Sequence, residues 1–245
     1  MMPKRESALA IDDLVKRLVQ DIQDNTIADA AGKLPSEPEL MTRYQVTRYT
    51  LREALMQLSN MGYTYQAHGI GTFVRRRADD SLLAIQNAVG LTAEFARQNK
   101  QLVTKTATIE AISLADAEFV PSGSGLSPDT PLWSVKRLRY LDEAPFIYER
   151  SYYLRALIGD IPESALYGSL FNFIEDQENL KLGFQDKIVT ADALTAETGK
   201  FFKQPSGTPV LCVRDDSYLS AGQLFAFSKL TCAASLTRLF MFKKL

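Results

Sequence analysis

The segment from residue 34 to residue 74 constrains the fold of this chain more than any other. Its pattern predicts a short helix over about residues 37–44, a tight turn, and a second helix over about residues 48–60. Ser36 and Thr47 directly precede these helices and are their predicted N-caps. Residues 63–74 then predict a β-hairpin, in which Gly69 and Gly71 permit the turn. This order of elements leaves one face of the second helix uncovered.

The uncovered face of the second helix carries arginine. On a wheel of 100° per residue, an apolar arc faces the other helices; it consists of Leu51, Ala54, Leu55 and Leu58. Arg48, Tyr49 and Arg52 lie outside that arc. Such a helix fits the major groove of DNA, while the hairpin reaches the neighbouring backbone or minor groove. The alternative is that both arginines are ordinary solvated charges, the common state of exposed arginine.

Charge is distributed unevenly along the chain. Residues 33–77 contain seven Lys or Arg and three Glu, a balance of 7 − 3 = +4, although the whole chain carries −1. The remaining residues therefore sum to −5. A basic segment attached to a mildly acidic body supports a nucleic-acid partner for that segment alone.

Composition excludes several other classes of protein. A length of 245 residues suits two domains, and 46% hydrophobic residues describe an ordinary globular chain. The sequence has no apolar run of membrane-spanning length and no signal peptide, which predicts a cytoplasmic protein without a membrane partner. Cys212 and Cys232 lie among apolar residues and are expected to be buried, and His68 is the only histidine. We therefore predict no metal site, no catalytic residues and no cofactor.

The remaining pattern predicts further helices and an antiparallel sheet. An apolar stripe over residues 7–23 predicts an amphipathic helix, and residues 75–80 form a charge run that changes sign. Further helices are expected over residues 91–100, from Ser151 to Leu157 or later, and over residues 168–178 and 194–202. Between these helices the sequence shows alternating strand patterns. The class is α+β, with a mainly antiparallel sheet in the second part.

Three blocks of the first part together indicate a family. Residues 34–37 (LPSE), 47–55 (TRYTLREAL) and 68–74 (HGIGTFV), with their spacing, resemble the winged helix-turn-helix of GntR-family bacterial transcription regulators. The expected DNA-binding residues are Ser36, Thr47, Arg48, Tyr49, Thr50, Arg52, His68 and Gly69. His68 lies at the predicted wing tip. Pro38 is a departure, because some members of the family carry a DNA-contacting arginine there.

The C-terminal part resembles the effector-binding UTRA domain of the HutC subfamily, over roughly residues 90–243. The resemblance rests on residues 137–140 (RLRY), 145–149, 168–171 (GSLF) and 227–228. It implies a winged helix-turn-helix followed by an antiparallel-sheet α/β UTRA domain with a chorismate lyase-like fold. The expected boundaries are residues 1–77 for DNA binding, 78–89 for a linker, and 90–245 for effector binding and dimerisation.

Two arginines of this second part predict an anion site. Arg137 and Arg139 are two residues apart on a strand, so they share a face and can bind a carboxylate or phosphate. A three-residue turn after Leu141 places Glu149 opposite Arg137, whereas a two-residue turn directs it away. The resemblance implies that Glu149 lies in the pocket and binds ligand hydroxyls or an amine. Ser169, at a helix start, is expected to bind the same anion, and Phe171 lies beside it. The alternative is a surface ladder of ion pairs.

Two residues of this pocket depart from the subfamily. Phe171 replaces the usual tyrosine, and Ala226 stands where many members carry a glutamate that binds sugar hydroxyls. The expected effector is nevertheless a small anion such as a sugar phosphate.

These features together predict a ligand-responsive regulator that is not an enzyme. We expect a homodimeric repressor that leaves a palindromic double-stranded operator when the effector binds. The first alternative is a lyase-like enzyme acting on a small carboxylate, since the second fold is shared with a lyase. A further alternative is an architectural DNA binder without sequence preference.

Overall fold

A computed structural model of the chain describes residues 11–75, 83–84, 91–92, 95, 100–121, 123–176 and 180–240. The chain divides into two compact units: Met1–Ala88 with Leu239–Leu245, and Val89–Arg238. The domain boundaries expected at residues 77 and 90 stay predictions. Within the described ranges, no helix is long and apolar enough to cross a membrane.

The first unit contains three helices and a hairpin. The helices are α1 (Ile11–Gln23), α2 (Glu37–Tyr44) and α3 (Arg48–Asn60). The bounds of α2 and α3 confirm the sequence prediction, whereas residues 7–10 of the first predicted helix lie outside the described residues. α1 packs against α3, and its buried stripe includes Leu14, Leu18 and Ile22.

Local caps explain where the second and third helices begin. The N–H and hydroxyl of Ser36 both donate to the Glu39 carboxylate, at 2.8 and 2.7 Å. The Thr47 hydroxyl oxygen accepts from the Thr50 N–H at 3.2 Å. Gln45 adopts a left-handed conformation, with φ of 53°, and so ends α2. The turn between α2 and α3 is therefore specified by a few neighbouring side chains.

The hairpin that follows consists of β1 (Thr64–Ala67) and β2 (Gly71–Val74). Its pairing runs from Thr64 opposite Val74 to Ala67 opposite Gly71, and Lys33 bridges to Phe73 on the other side of β2. Further along the chain, β3 (Leu83–Ala84) pairs in parallel with β10 (Leu239–Phe240). The last strand thus lies in the first unit.

The second unit is built on a six-stranded antiparallel sheet, which agrees with the predicted class. The spatial order is β4-β5-β6-β9-β8-β7. The strands are β4 (Leu102–Ser113), β5 (Pro131–Leu141), β6 (Ala144–Leu154), β7 (Leu182–Ala193), β8 (Pro209–Leu219) and β9 (Leu224–Cys232). Both cysteines are buried, as expected.

Short helices accompany this sheet: α4 (Arg155–Ile158), α5 (Glu163–Leu166), α6 (Leu170–Glu175) and α7 (Ala196–Phe202). Apolar residues of α4, α5 and α6 pack with Val135, Tyr153 and Phe225 of the sheet. The prediction of a helix from Ser151 is wrong, because Ser151 pairs with Ser228 and the strand continues to Leu154. Of the helix predicted over residues 91–100, only residues 91, 92 and 95 are described as helical.

The turn between β5 and β6 is the shorter of the two turns that the sequence left open. Leu141 pairs with Ala144, so only Asp142 and Glu143 form the turn, with φ of 47° and 72°. Such a turn alone would direct Glu149 to the other face. A register shift between Arg139 and Tyr140 then inserts Phe146 as an extra residue, which places Glu149 opposite Arg137. The expected position of Glu149 is therefore reached through a β-bulge.

Candidate nucleic-acid interface and buried anion site

The outward face of α3 presents its arginines to solvent. Arg48, Tyr49 and Arg52 are exposed, whereas Leu51 and Leu58 on the opposite side are fully buried. The structure thus separates the two faces of α3 as the sequence predicted. A helix with one face fixed in a core and two free guanidinium ends on the other is suited to entering a groove.

An acidic residue of α2 holds both arginines in place. The Nε–H of Arg48 donates to Glu37 Oε2 at 3.2 Å, and the Nε–H of Arg52 donates to Glu37 Oε1 at 3.0 Å. The bond from Arg52 is the largest influence on the pKa of Glu37, which lies below its ordinary value. Glu37 was not predicted as a site residue, because the contact joins two helices and leaves no periodic signal.

The hydroxyls near the helix starts are already engaged in capping. The Oγ1 atoms of Thr47 and Thr50 lie 2.9 Å apart. Thr47 is the N-cap of α3, and Thr50 lies in its first turn. Ser36 donates its hydroxyl to Glu39, and this bond and the Ser36 N–H lower the pKa of Glu39. These three residues lie at helix N-termini, where phosphate contacts are favourable.

The wing tip is exposed and sterically open. His68, Gly69 and Ile70 form the exposed loop between the two wing strands. Gly69 has φ of +73° and nothing lies within 4 Å of a Cβ built on it, so the backbone can approach a surface closely. At Gly71, by contrast, an added Cβ would lie 2.8 Å from Lys33 Cε.

The second unit contains a buried cluster of two arginines and one glutamate. Arg137 Nη2 donates to both carboxylate oxygens of Glu149, at 2.7 and 2.8 Å. Arg139 Nη1 lies 3.7 Å from the same carboxylate, so it is held less tightly. None of the three residues is more than 7% exposed. The alternative of a surface ladder is therefore wrong, because these charges lie inside the protein.

Electrostatics within the cluster follows from burial and pairing. Burial alone would raise the pKa of Glu149, but the Arg137 and Arg139 guanidiniums outweigh it and hold that pKa below its ordinary value. Burial lowers the pKa of Arg139 to about 10, so this residue is still charged at neutral pH. Two cations and one carboxylate leave a net charge of +1 in the cluster.

Neighbouring polar groups complete the cluster. Ser151 donates its hydroxyl to Glu149 at 3.0 Å, and Arg139 Nη2 donates to Thr92 Oγ1 at 2.7 Å. Arg137 Nη1 donates to the carbonyl of Gly168 at 3.0 Å. Neither Thr92 nor Ser151 was predicted from the sequence. The two-residue spacing from Glu149 along β6 was a usable signal for Ser151.

The other predicted pocket residues are placed differently. Ser169 is exposed and caps α6, accepting from the Asn172 N–H at 3.2 Å. Gly168 brings the start of this helix to Arg137, but the Ser169 hydroxyl is used locally. Phe171 is half-buried in the apolar core, 6.1 Å from Phe225 between ring centroids. Among the residues that the structure describes, no cluster of His, Cys, Asp or Glu is suited to a metal ion.

Comparisons with known proteins match both parts of the chain. The UTRA domain profile matches residues 97–238, and the profile of "Bacterial regulatory proteins, gntR family" matches residues 10–74. The uncharacterised HTH-type regulator YydK of Bacillus subtilis is 26% identical over 202 residues, covering 81% of this chain and 83% of that protein. The repressor NagR of the same organism is 25% identical, covering 80% and 79% of the two chains.

A further relative and one solved structure extend these similarities. The mannosyl-D-glycerate transport/metabolism repressor MngR of Escherichia coli is 24% identical, covering 80% of each chain. The crystal structure of the possible regulator YydK superposes with a TM-score of 0.74 at 22% identity. It covers 96% of this chain and 100% of that one, and at this identity it shows a shared fold.

Proposed function

This chain belongs to the GntR family of ligand-responsive bacterial transcription regulators, with a UTRA domain after its helix-turn-helix, and we propose that it is a homodimeric repressor released from a palindromic operator by a small anion. Its relatives and domains are those of regulators and not of enzymes, so the lyase-like alternative is set aside. The protein would act in the bacterial cytoplasm, where its operator lies. The observation that carries the proposal is the pair of exposed arginines on α3.

On the DNA side, each predicted residue has a role that its position supports. The free Nη groups of Arg48 and Arg52 bind guanine edges in the major groove, with Tyr49 beside them. Ser36, Thr47 and Thr50 contact phosphates at the helix N-termini. His68 and Gly69 approach the neighbouring minor groove or backbone from the wing tip.

On the effector side, the proposed ligand is a small anion such as a phosphorylated sugar. Arg139 supports this choice, because its contact with Glu149 is long and its Nε is a buried donor without a hydrogen-bond partner in the described part of the chain. The incoming anion would bind Arg139 and share Arg137 with Glu149. Phe171 and Ala226 offer no polar group, so Glu149 and Ser151 would contact ligand hydroxyls, and Ser169 would join them only by giving up its bonds to Asn172. The relative MngR is named for a sugar derivative.

Release of DNA requires that the effector prefer a dimer geometry that does not fit the operator. A two-fold dimer presents two copies of α3 to half-sites about one helical turn apart. The first experiment is selection of bound duplexes from a random pool by the full-length protein. Enrichment of an inverted repeat supports the proposal, whereas recovery of unrelated sequences indicates an architectural binder.

The second experiment tests the effector site with a panel of hexose 6-phosphates and inorganic phosphate. A true effector raises the melting temperature and releases the selected operator. Arg139→Gln should retain operator binding and lose release by the same compound. Arg214→Gln is the matched control, because Arg214 lies on the opposite face of the sheet and donates to the Val120 carbonyl at 3.0 Å. Release that persists in the Arg139 variant would remove this residue from the site.

A further inference from the structure

The wing has a third backbone segment beside β2. The Leu34 N–H donates to the Thr72 carbonyl at 2.8 Å, and the Val74 N–H donates to the Gly32 carbonyl at 2.7 Å. These two bonds fix residues 32–34 along the side of β2 that β1 leaves open. Main-chain pairing thus makes the wing three segments wide and holds the middle residue of the added segment in one position.

That middle residue is Lys33, and its side chain lies on the outer face of the wing. Lys33 pairs with Phe73, and Phe73 pairs with Tyr65, so the three side chains share one face. Leu34, the next residue, is 3% exposed and belongs to the core. Lys33 is exposed, and the rings of Tyr65 and Phe73 stack on each other with their centroids 5.5 Å apart. The outer face of the wing therefore carries one positive charge and two aromatic rings.

Gly71 leaves room for the Lys33 side chain close to the wing tip. Gly71 precedes Phe73 by two residues on β2, so it lies on the same outer face. A Cβ added to Gly71 would lie 2.8 Å from Lys33 Cε, 3.8 Å from its Cδ and 3.7 Å from its Nζ. The lysine stem thus crosses bare backbone, and its ammonium lies where β2 leaves the exposed loop of residues 68–70.

The Lys33 ammonium is available to an external anion. Among the residues that the structure describes, none accepts a hydrogen bond or an ion pair from it. By contrast, Arg43 bonds to Asp21, and both arginines of α3 bond to Glu37. Because the lysine stem already lies along the wing, binding an anion costs it less rotamer freedom than it costs a free lysine. The alternative is that Lys33 is solvated and that its stem only covers the wing backbone.

We propose that Lys33 binds a phosphate of the DNA backbone beside the wing tip, and that Gly71 positions its ammonium for this contact. The contact rests on the proposed function, which brings DNA to the wing. When His68 and Gly69 approach a groove, the outer face of the wing meets the sugar–phosphate backbone that borders that groove. A phosphate contact carries no sequence information, so Lys33 strengthens binding to the operator and to unrelated duplex alike.

The salt dependence of DNA binding tests the contact. Each phosphate that a protein neutralises adds about 0.9 to the steepness with which log K falls against log salt concentration. Lys33→Gln should therefore lower this slope by about 1 for each bound wing, equally on the operator and on an unrelated duplex. Lys33→Arg keeps the charge and should keep the slope. Lys200→Gln is the matched control, because it removes the same charge from an exposed lysine on α7 of the second unit. Fluorescence anisotropy at several salt concentrations gives each slope.

A double-mutant cycle tests whether Gly71 acts through Lys33. In Gly71→Ala the added methyl group takes the place of Lys33 Cε and displaces the ammonium, so this variant should lose as much of the slope as Lys33→Gln. The double variant should lose no more than either single variant, because both changes remove the same contact. If Gly71→Ala acts only by straining the backbone at φ of +143°, its effect on DNA binding adds to that of Lys33→Gln, and the positioning role is refuted.

The outcomes separate this contact from the proposed function. Equal slopes for Lys33→Gln and Lys200→Gln, a loss in Lys33→Arg as large as in Lys33→Gln, or a loss confined to the operator would overturn the phosphate contact. A lower slope on both duplexes in Lys33→Gln, with the wild-type slope retained in Lys33→Arg, supports it. If that result is obtained while no inverted repeat is selected, the proposed function fails and the Lys33 contact stands. A wild-type protein that binds neither duplex refutes both.

Discussion

Replacing Glu37 with glutamine should lower the ability of α3 to discriminate its operator from other DNA. Glu37 is the group that fixes the Nε atoms of Arg48 and Arg52, at 3.2 and 3.0 Å. The glutamine keeps the size of the side chain but removes its charge. Both guanidiniums then sample more orientations, and fewer of these match guanine edges.

The expected size of the effect follows from the exposure of the two ion pairs. The Glu37 side chain is 29% exposed, and those of Arg48 and Arg52 are 65% and 61% exposed. Exposed ion pairs contribute about 0.2–1 kcal/mol each, so the two together contribute about 1 kcal/mol after screening by solvent. That amount corresponds to about a fivefold change in a ratio of dissociation constants.

The assay is fluorescence anisotropy with the selected operator and with an unrelated duplex of equal length, at a fixed salt concentration. Glu37→Gln should bind the unrelated duplex more tightly, since a negative charge has left a surface that faces phosphates. Its operator affinity should change less, so the specificity ratio falls. Glu39→Gln is the matched control: it removes the same charge from α2, but Glu39 bonds to Ser36 and to neither arginine.

Equal specificity ratios for the two variants would refute this reasoning. Such a result would mean that the charge of α2 matters and the positioning of the arginines does not. An increased ratio in Glu37→Gln would refute it too, because Glu37 would then be restraining the arginines from their bases.

Four other substitutions have defined outcomes. Arg48→Ala and Arg52→Ala should each weaken operator binding by about 1–3 kcal/mol in the same anisotropy assay, with unchanged affinity contradicting a base contact. Glu149→Gln should lower the free energy of unfolding by about 3 kcal/mol at neutral pH, because it leaves buried arginines unpaired. The pKa of Glu149 is held below its ordinary value of 4.5, so its contribution to the free energy of unfolding is complete above pH 4.5 and is lost as the pH falls further. The melting temperature of Glu149→Gln should therefore change less between neutral and acidic pH than that of the wild-type protein. Gly71→Ala should lower stability by about 1 kcal/mol in urea unfolding, since its φ is +143°.

The parts of the fold that the sequence predicted are those set by neighbouring residues. The bounds of α2 and α3 follow from Ser36 and Thr47, whose caps act within one helical turn. The helix expected from Ser151 failed because pairing with β9, distant in sequence, keeps that segment extended. Local propensity carries no information about such a partner.

The position of Glu149 shows a different limit. Turn length alone predicts its face, and the two-residue turn at Asp142 and Glu143 gives the wrong one. The bulge at Phe146 corrects it, and nothing in the local sequence marks that residue as the extra one. The bulge follows instead from the packing of Phe146, which is fully buried and stacks edge-on against Phe95 at 5.1 Å. Long-range packing therefore decided which residues form the candidate site.

Both candidate sites use the same arrangement, one carboxylate between two arginines, and solvent exposure gives the two arrangements different consequences. At Glu37 the ion pairs are exposed and weak, so DNA phosphates and bases can recruit the free ends of Arg48 and Arg52 at little energetic cost. At Glu149 the pairs are buried, and separating Arg137 from this carboxylate would leave an uncompensated charge inside the protein. A neutral ligand cannot replace that carboxylate. We therefore propose that the effector brings its own negative charge to Arg139, and we expect an uncharged sugar not to bind there.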